Sequence, residues 1–109
     1  MDKNPDFIVV GGGSAGAVIA ARLSESGKFH VLLLEAGGSG RDFLVQMPAG
    51  LAKMMSNPRY DWGYQQSPDP TLGNRTFIWS GGKMLGGGSS INGQVYIRGT
   101  RSDFDNWEK

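Results

Sequence analysis

The chain has 109 residues, with 11 lysines and arginines against 10 aspartates and glutamates for a net charge of +1. That is room for one domain at most, and it lacks the basic face that nucleic acid requires. No apolar run approaches the roughly 18 to 20 residues of a membrane-spanning helix, and zero cysteines with a single histidine exclude disulfide frameworks, thiolate chemistry and histidine-rich metal sites.

The opening Met1-Asp2-Lys3-Asn4-Pro5-Asp6 has neither the apolar core of a signal peptide nor the pattern of a transit peptide. A cytoplasmic location follows as an expectation, with peripheral membrane contact left open. Phe7-Ile8-Val9-Val10 is an uninterrupted apolar run, as expected of a parallel strand covered on both faces. After it, Ala15, Val18, Ile19, Arg22 and Leu23 fall at helical spacing, and Gly27 suits the left-handed position beyond a helix end. His30-Val31-Leu32-Leu33-Leu34-Glu35 is a second apolar run, closed by an acid and the breaker Ala36-Gly37-Gly38. Residues 1–38 therefore read as a strand, helix, strand unit whose strands are parallel.

Residues 39–109 are dominated by glycine, proline and polar breaks, and glycine reaches 18 positions in the chain, roughly twice its usual share. Pro48 followed by residues 49–55 predicts a short helix stopped at Asn57-Pro58. Thr76–Trp79 and Val95–Ile97 are candidate strands, the second equally able to continue a helix begun near Ser89. Ser102 as cap and Asp105 in the first turn predict a helix start just before the sequence ends at Lys109. Two parallel strands and one helix cannot cover each other's apolar faces, so the expectation is the N-terminal part of a larger enzyme.

Gly11-Gly12-Gly13-Ser14-Ala15-Gly16 fits G-x-G-x-x-G between a predicted strand and a predicted helix. Gly11 permits the turn, Gly13 lets backbone approach a diphosphate, and Gly16 lets the helix lie close on the strand. Glu35, about 20 residues on at the end of the second strand, is placed to accept hydrogen bonds from an adenosine ribose. An S-adenosylmethionine methyltransferase is the main competing reading, and an NAD enzyme a further one. The second cluster, Gly81 to Gly93, contains Gly82-Lys83 but fails as a P-loop, because Met84 follows the lysine and Phe77 stands where the first glycine is needed. It reads as either a second cofactor contact or a tight crossing of chains.

Together the clusters resemble the glucose-methanol-choline (GMC) oxidoreductases, which bind FAD and oxidise alcohols. Asp6 to Gly38 is similar to that family's FAD-binding start, and Gly82-Lys83-x-Leu85-Gly86-Gly87-Gly88-Ser89-x-Ile91-Asn92, continuing to Asp105, follows its first signature over 82–105. Met47-Pro48-Ala49-Gly50 and Tyr60-Asp61-Trp62-Gly63-Tyr64 resemble the choline-dehydrogenase-like branch. The resemblance implies an α/β fold: a Rossmann-like β-α-β unit, then glycine-rich loops and short helices, within a larger two-domain protein.

It also implies that Gly11, Gly13, Ser14, Ala15 and Gly16 hold the FAD diphosphate and that Glu35 and Ala36 hold the ribose. Met84, Gly87, Gly88, Ser89, Asn92, Gly93 and Val95 would line the diphosphate and flavin end largely through main-chain atoms. Trp62, in a loop between Asp61 and Gly63, reads from its position either as an aromatic stacked near the cofactor or as one packed against a loop. Some relatives carry histidine where this chain has Asn92 and bind flavin covalently; asparagine implies non-covalent FAD. Relatives often show Pro-Arg-Gly-Lys where this chain has Ser80-Gly81-Gly82-Lys83. The family's catalytic histidine lies near the C-terminus, beyond these residues, so no catalytic residue is assigned. The implied partner is a small alcohol, choline-like or another primary alcohol, with the electron acceptor and oligomeric state open. The alternative is a cofactor-binding segment without turnover.

Overall fold

The computed structural model describes residues 4–109. Met1–Lys3, where the reading of a leaderless start begins, lie outside the described residues. Strand β1 (Phe7–Val10), helix α1 (Ser14–Glu25) and strand β2 (Val31–Leu34) form the expected unit, with β1 and β2 parallel in the register Phe7 to Val31 through Val10 to Leu34. Asp6 fixes that register at its entry: its N–H donates to the His30 carbonyl at 2.8 Å, and its carboxylate accepts from the His30 N–H at 2.7 Å. His30 is thus the strand-edge residue that its position suggests, with its side chain exposed. Gly27 takes φ +67° just past α1 and ends it as anticipated.

Val9 and Leu33 are half-buried, and a Cβ at Gly16 would lie 3.4 Å from Val9, which puts this face of the sheet under α1. Ile8, Val10, Leu32 and Leu34, on the other face, are exposed. The expectation of two covered faces therefore holds for one only, because no described element packs on the second.

The buried core sits elsewhere. Helix α2 (Phe43–Gln46), a 3-10 turn (Pro48–Gly50) and helix α3 (Leu51–Met54) fold back on the second glycine cluster, burying Met54, Tyr60, Met84 and Ile91, with Leu44, Val45 and Leu51 packed around them. The helix expected after Pro48 is present but begins as the 3-10 turn, and of its methionines Met54 is buried while Met55 is exposed. Strands β3 (Tyr64–Gln65) and β4 (Ile78–Trp79) form an antiparallel pair, so the run 76–79 is strand only in its second half. Gly87–Ser90 is a further 3-10 turn.

Two expectations are corrected. Val95–Ile97 is neither strand nor helix but irregular and highly exposed, with no pairing partner among the described residues. The last helix, α4 (Arg101–Trp107), is capped by Thr100 rather than Ser102, and the reciprocal acid is Asp103, whose carboxylate accepts from the Thr100 N–H at 2.7 Å. Asp105 instead lies 3.9 Å from Arg101 on the exposed side of the helix.

Candidate cofactor-binding site

The chain turns out of β1 at Gly11, whose φ of +92° favours glycine. The Gly11 N–H donates to the Leu34 carbonyl at 2.7 Å, tying the turn to the end of β2. Helix α1 starts with Gly13 as a cap that brings no side chain, and its first turn contains no acid. The N–H groups of Ala15 and Gly16 find no acceptor among the described residues, which leaves the positive end of a three-turn helix open to an anion.

The glycines are not equivalent. A Cβ on Gly16 would stand 1.9 Å from the Gly11 carbonyl oxygen, so Gly16 is required for the helix to lie on the turn. A Cβ on Gly13 would meet nothing closer than the Gly87 Cα at 3.8 Å, an ordinary contact. Gly16→Ala in the full-length protein is therefore expected to cost about 3 kcal/mol or more and to reduce soluble yield. Gly13→Val is expected to leave folded protein with reduced flavin content. Yield and the flavin-to-protein absorbance ratio separate the two, and folded, fully loaded Gly13→Val protein contradicts the role of Gly13.

The second glycine cluster crosses the first. The Gly86 N–H donates to the Gly12 carbonyl at 2.8 Å, and a Cβ on Gly87 would be 2.9 Å from the Gly13 Cα. Of the two readings of this cluster, the tight crossing is realised, and the crossing itself brings Gly82 and Gly87 to the mouth of α1. Glu35 joins the loops: one carboxylate oxygen accepts from the Gly12 N–H at 2.7 Å and the other from the Gly37 N–H at 2.9 Å. The result is a cleft of about 540 Å³ lined by Val10, Gly11, Gly13, Leu34, Glu35, Ala36, Trp62, Gly82 and Gly87, within the usual range for cofactor sites.

Six of the residues expected at the cofactor thus share one space: Gly11, Gly13, Glu35, Ala36, Trp62 and Gly87. Ser14, Ala15 and Gly16 form the adjoining first turn of α1. Gly88 and Ser89 follow Gly87 in its 3-10 turn and are exposed. Met84 buries its side chain in the core, 1% exposed, leaving only its backbone near the crossing. Asn92, Gly93 and Val95 are exposed outside the cleft, and the Asn92 side chain accepts from the Gln94 N–H at 3.0 Å. Val10, Leu34 and Gly82 line the cleft without having been singled out, although each adjoins or ends a motif that was.

The far wall is organised by Asp61, which sequence patterns gave no reason to isolate from its neighbours. It is 3% exposed and accepts from the N–H groups of Ser56, Gly63 and Gly81 at 2.8, 2.9 and 2.8 Å. Burial pushes its carboxyl upward, but these N–H donors, with the Ser80 hydroxyl, outweigh burial and hold it at about 2. Trp62, next in sequence, donates its N–H to the Gly81 carbonyl at 2.8 Å and stacks with Tyr64, ring centroids 6.3 Å apart. A Cβ at position 81 would be 2.7 Å from the Tyr64 ring, so glycine here lets that ring lie against the backbone.

Comparison with known proteins decides the family. Residues 5–109 match the family model described as GMC oxidoreductase. The chain belongs to the GMC oxidoreductase family. It is 54% identical over 104 residues to an oxygen-dependent choline dehydrogenase of Rhizobium etli, covering 95% of this chain and 19% of that protein. The oxygen-dependent choline dehydrogenase of Vibrio vulnificus is 50% identical over 109 residues, covering 100% of this chain and 20% of that protein. Among solved structures, pyridoxine 4-oxidase from Mesorbium loti superposes with a TM-score of 0.79 at 39% identity, over 95% of this chain and 20% of that one. Formate oxidase of Aspergillus oryzae RIB40 does so with a TM-score of 0.75 at 34% identity, over 98% and 19%.

The chain thus spans about a fifth of the length of the curated relatives it matches. It corresponds to the FAD-binding N-terminal region of the GMC family, with choline-dehydrogenase-like sequence. The methyltransferase and NAD readings fall with this match. No helix among the described residues is long and apolar enough to cross a membrane.

Proposed function

We propose that these residues hold FAD non-covalently in a protein that oxidises a primary alcohol, choline or a close analogue. The observation that supports it is the convergence of two glycine clusters and Glu35 on one cleft at the open end of α1, in a chain matched to GMC oxidoreductases from residue 5 onward. The cleft suits the group: bare backbone and helix N–H groups for a diphosphate, a carboxylate for ribose hydroxyls, and Val10, Leu34 and Trp62 as apolar walls. When bound, FAD supplies the two-electron acceptance that an alcohol needs to become a carbonyl.

The work of this chain is to bind and orient. Ala15 and Gly16 offer N–H groups to the diphosphate, Glu35 keeps the two loops in register while its remaining lone pairs face ribose hydroxyls, and Trp62 presents a flat face. Residues 1–38 carry the diphosphate and ribose contacts, and 39–109, through the signature at 82–105, close the cleft from the other side. Ser14, Gly88, Ser89, Asn92, Gly93 and Val95 complete the proposed contacts beyond the cleft. No proton-abstracting base is assigned to these residues, and His30, with its backbone bound to Asp6, does not line the cleft.

The test is spectroscopic. Full-length protein is expected to purify yellow, to release all of its flavin into the supernatant on acid precipitation, and to bleach when choline is added without oxygen. Flavin that remains with the precipitate contradicts non-covalent binding. Colourless protein contradicts the cofactor, and yellow protein that choline and other primary alcohols fail to bleach contradicts the substrate class.

A further inference from the structure

A second cavity, of about 300 Å³, lies behind the cleft and shares none of its lining residues. The two spaces are divided where Gly37 meets Lys83: a Cβ at Gly37 would be 1.8 Å from the Lys83 carbonyl oxygen. Both chain segments pass from one space to the other at this contact, since Ala36 and Gly82 line the cleft while Gly38 and Lys83 line the cavity. The polar groups facing the cavity come from Ser39, Asp42, Arg59, Tyr60 and Lys83.

Their charge does not cancel. Asp42 is already engaged, one of its oxygens lying 2.7 Å from the Arg59 guanidinium and accepting from the Tyr60 hydroxyl at 3.1 Å. Lys83 has no carboxylate within 4.0 Å among the described residues, and its ammonium instead rests 4.8 Å from the Trp62 ring centroid. The backbone N–H groups of Ser39 and Gly40, at a turn where Gly40 has φ +69°, also lack acceptors among the described residues. Two cations, one committed carboxylate and two bare N–H groups around one partly open space have the donor chemistry that recognises a compact oxyanion, with planar guanidinium and ammonium supplying charge-assisted bonds.

We infer that this cavity binds a small oxyanion of the phosphate class, held by Lys83, the free donors of Arg59 and the N–H groups of Ser39 and Gly40. No residue lines both spaces, but Lys83 rests on Trp62 of the cleft, so the flavin-to-protein ratio of each variant is read beside its anion binding and separates the failure of this site from that of the flavin reading.

The experiment is equilibrium dialysis of the intact full-length flavoprotein against radiolabelled orthophosphate at constant ionic strength, the exchangeable anion counted per chain. One saturable site is expected, weakened about tenfold or more by Lys83→Met and by Arg59→Gln, and largely kept by Lys83→Arg. Competition by glycerol phosphate that is tighter than by orthophosphate identifies the phosphoryl group of a metabolite as the natural occupant, and weaker competition identifies free phosphate. Absence of a saturable site in the wild-type protein overturns the inference, including the case where an acidic side chain from beyond residue 109 fills the cavity. Unchanged affinity in the charge-removing variants overturns it too. If Lys83→Met does not fold, Arg59→Gln decides alone, since the Arg59 side chain is largely exposed, although its guanidinium lies 5.3 Å from the Tyr60 ring centroid.

Discussion

Replacing Glu35 by glutamine in the full-length protein is expected to weaken FAD binding about thirtyfold, equivalent to about 2 kcal/mol. The carboxylate bonds to both the Gly12 loop and the Gly37 loop, at 2.7 and 2.9 Å, and these loops follow the paired ends of β1 and β2 beside the cleft. Each bond is charge-assisted, worth about 1.5 to 3 kcal/mol when fully made, and the half-buried position reduces that value. Glutamine cannot reproduce the pair. Both partners are N–H donors, so whichever way the amide turns, its NH2 group confronts one of them. Glu35→Asp retains charge and both acceptors but loses a methylene of reach, and is expected to lose comparable affinity because it cannot span both loops. Titration of apoprotein with FAD, followed by flavin fluorescence, measures both variants. Wild-type affinity in Glu35→Gln contradicts the clamp, and loss in glutamine with full retention in aspartate assigns the effect to charge alone.

What the sequence made legible follows from how local each signal is. The β1–α1–β2 unit is written in contiguous residues: two four-residue apolar strands, a glycine turn between strand and helix, and Gly27 where the helix must stop. The core is not. Met54, Tyr60, Met84 and Ile91 come together from turns that share no period, so the pattern in residues 39–109 does not disclose which side chains face inward. Met84 shows the consequence: its place in a glycine-rich motif locates its backbone at the crossing, while packing sends its side chain to the core. The same limit misplaced the start of α4, because Thr100 with Asp103 and Ser102 with Asp105 offer identical capping spacing. Val95–Ile97 has strand composition but no partner among the described residues, and apolar content alone does not create a ladder.

Asp61 is the residue whose loss is expected to cost the most stability. Removing its carboxylate by Asp61→Ala leaves the N–H groups of Ser56, Gly63 and Gly81 buried around nothing, at about 1 to 3 kcal/mol for each group that water does not reach, and the segment carrying Trp62 loses its anchor. Asp61→Asn restores one acceptor and sets an NH2 group against the remaining donors, so its loss is smaller but of the same sign. The effect has a defined pH dependence. The folded-state value of about 2 lies below the ordinary 3.8, so folding favours the ionised form, and this stabilisation is complete above about pH 4 and disappears as pH falls through 2. Thermal unfolding of full-length wild type and Asp61→Asn, followed by circular dichroism from pH 7 down to about pH 2.5, is expected to show a gap in melting temperature that is constant above pH 4 and narrows below it. A gap that stays the same width down to the lowest pH means that the ionised carboxylate is not what holds this wall. The N–H groups of Ser56, Gly63 and Gly81 would then be satisfied in its absence, and Trp62 would owe its place to stacking on Tyr64.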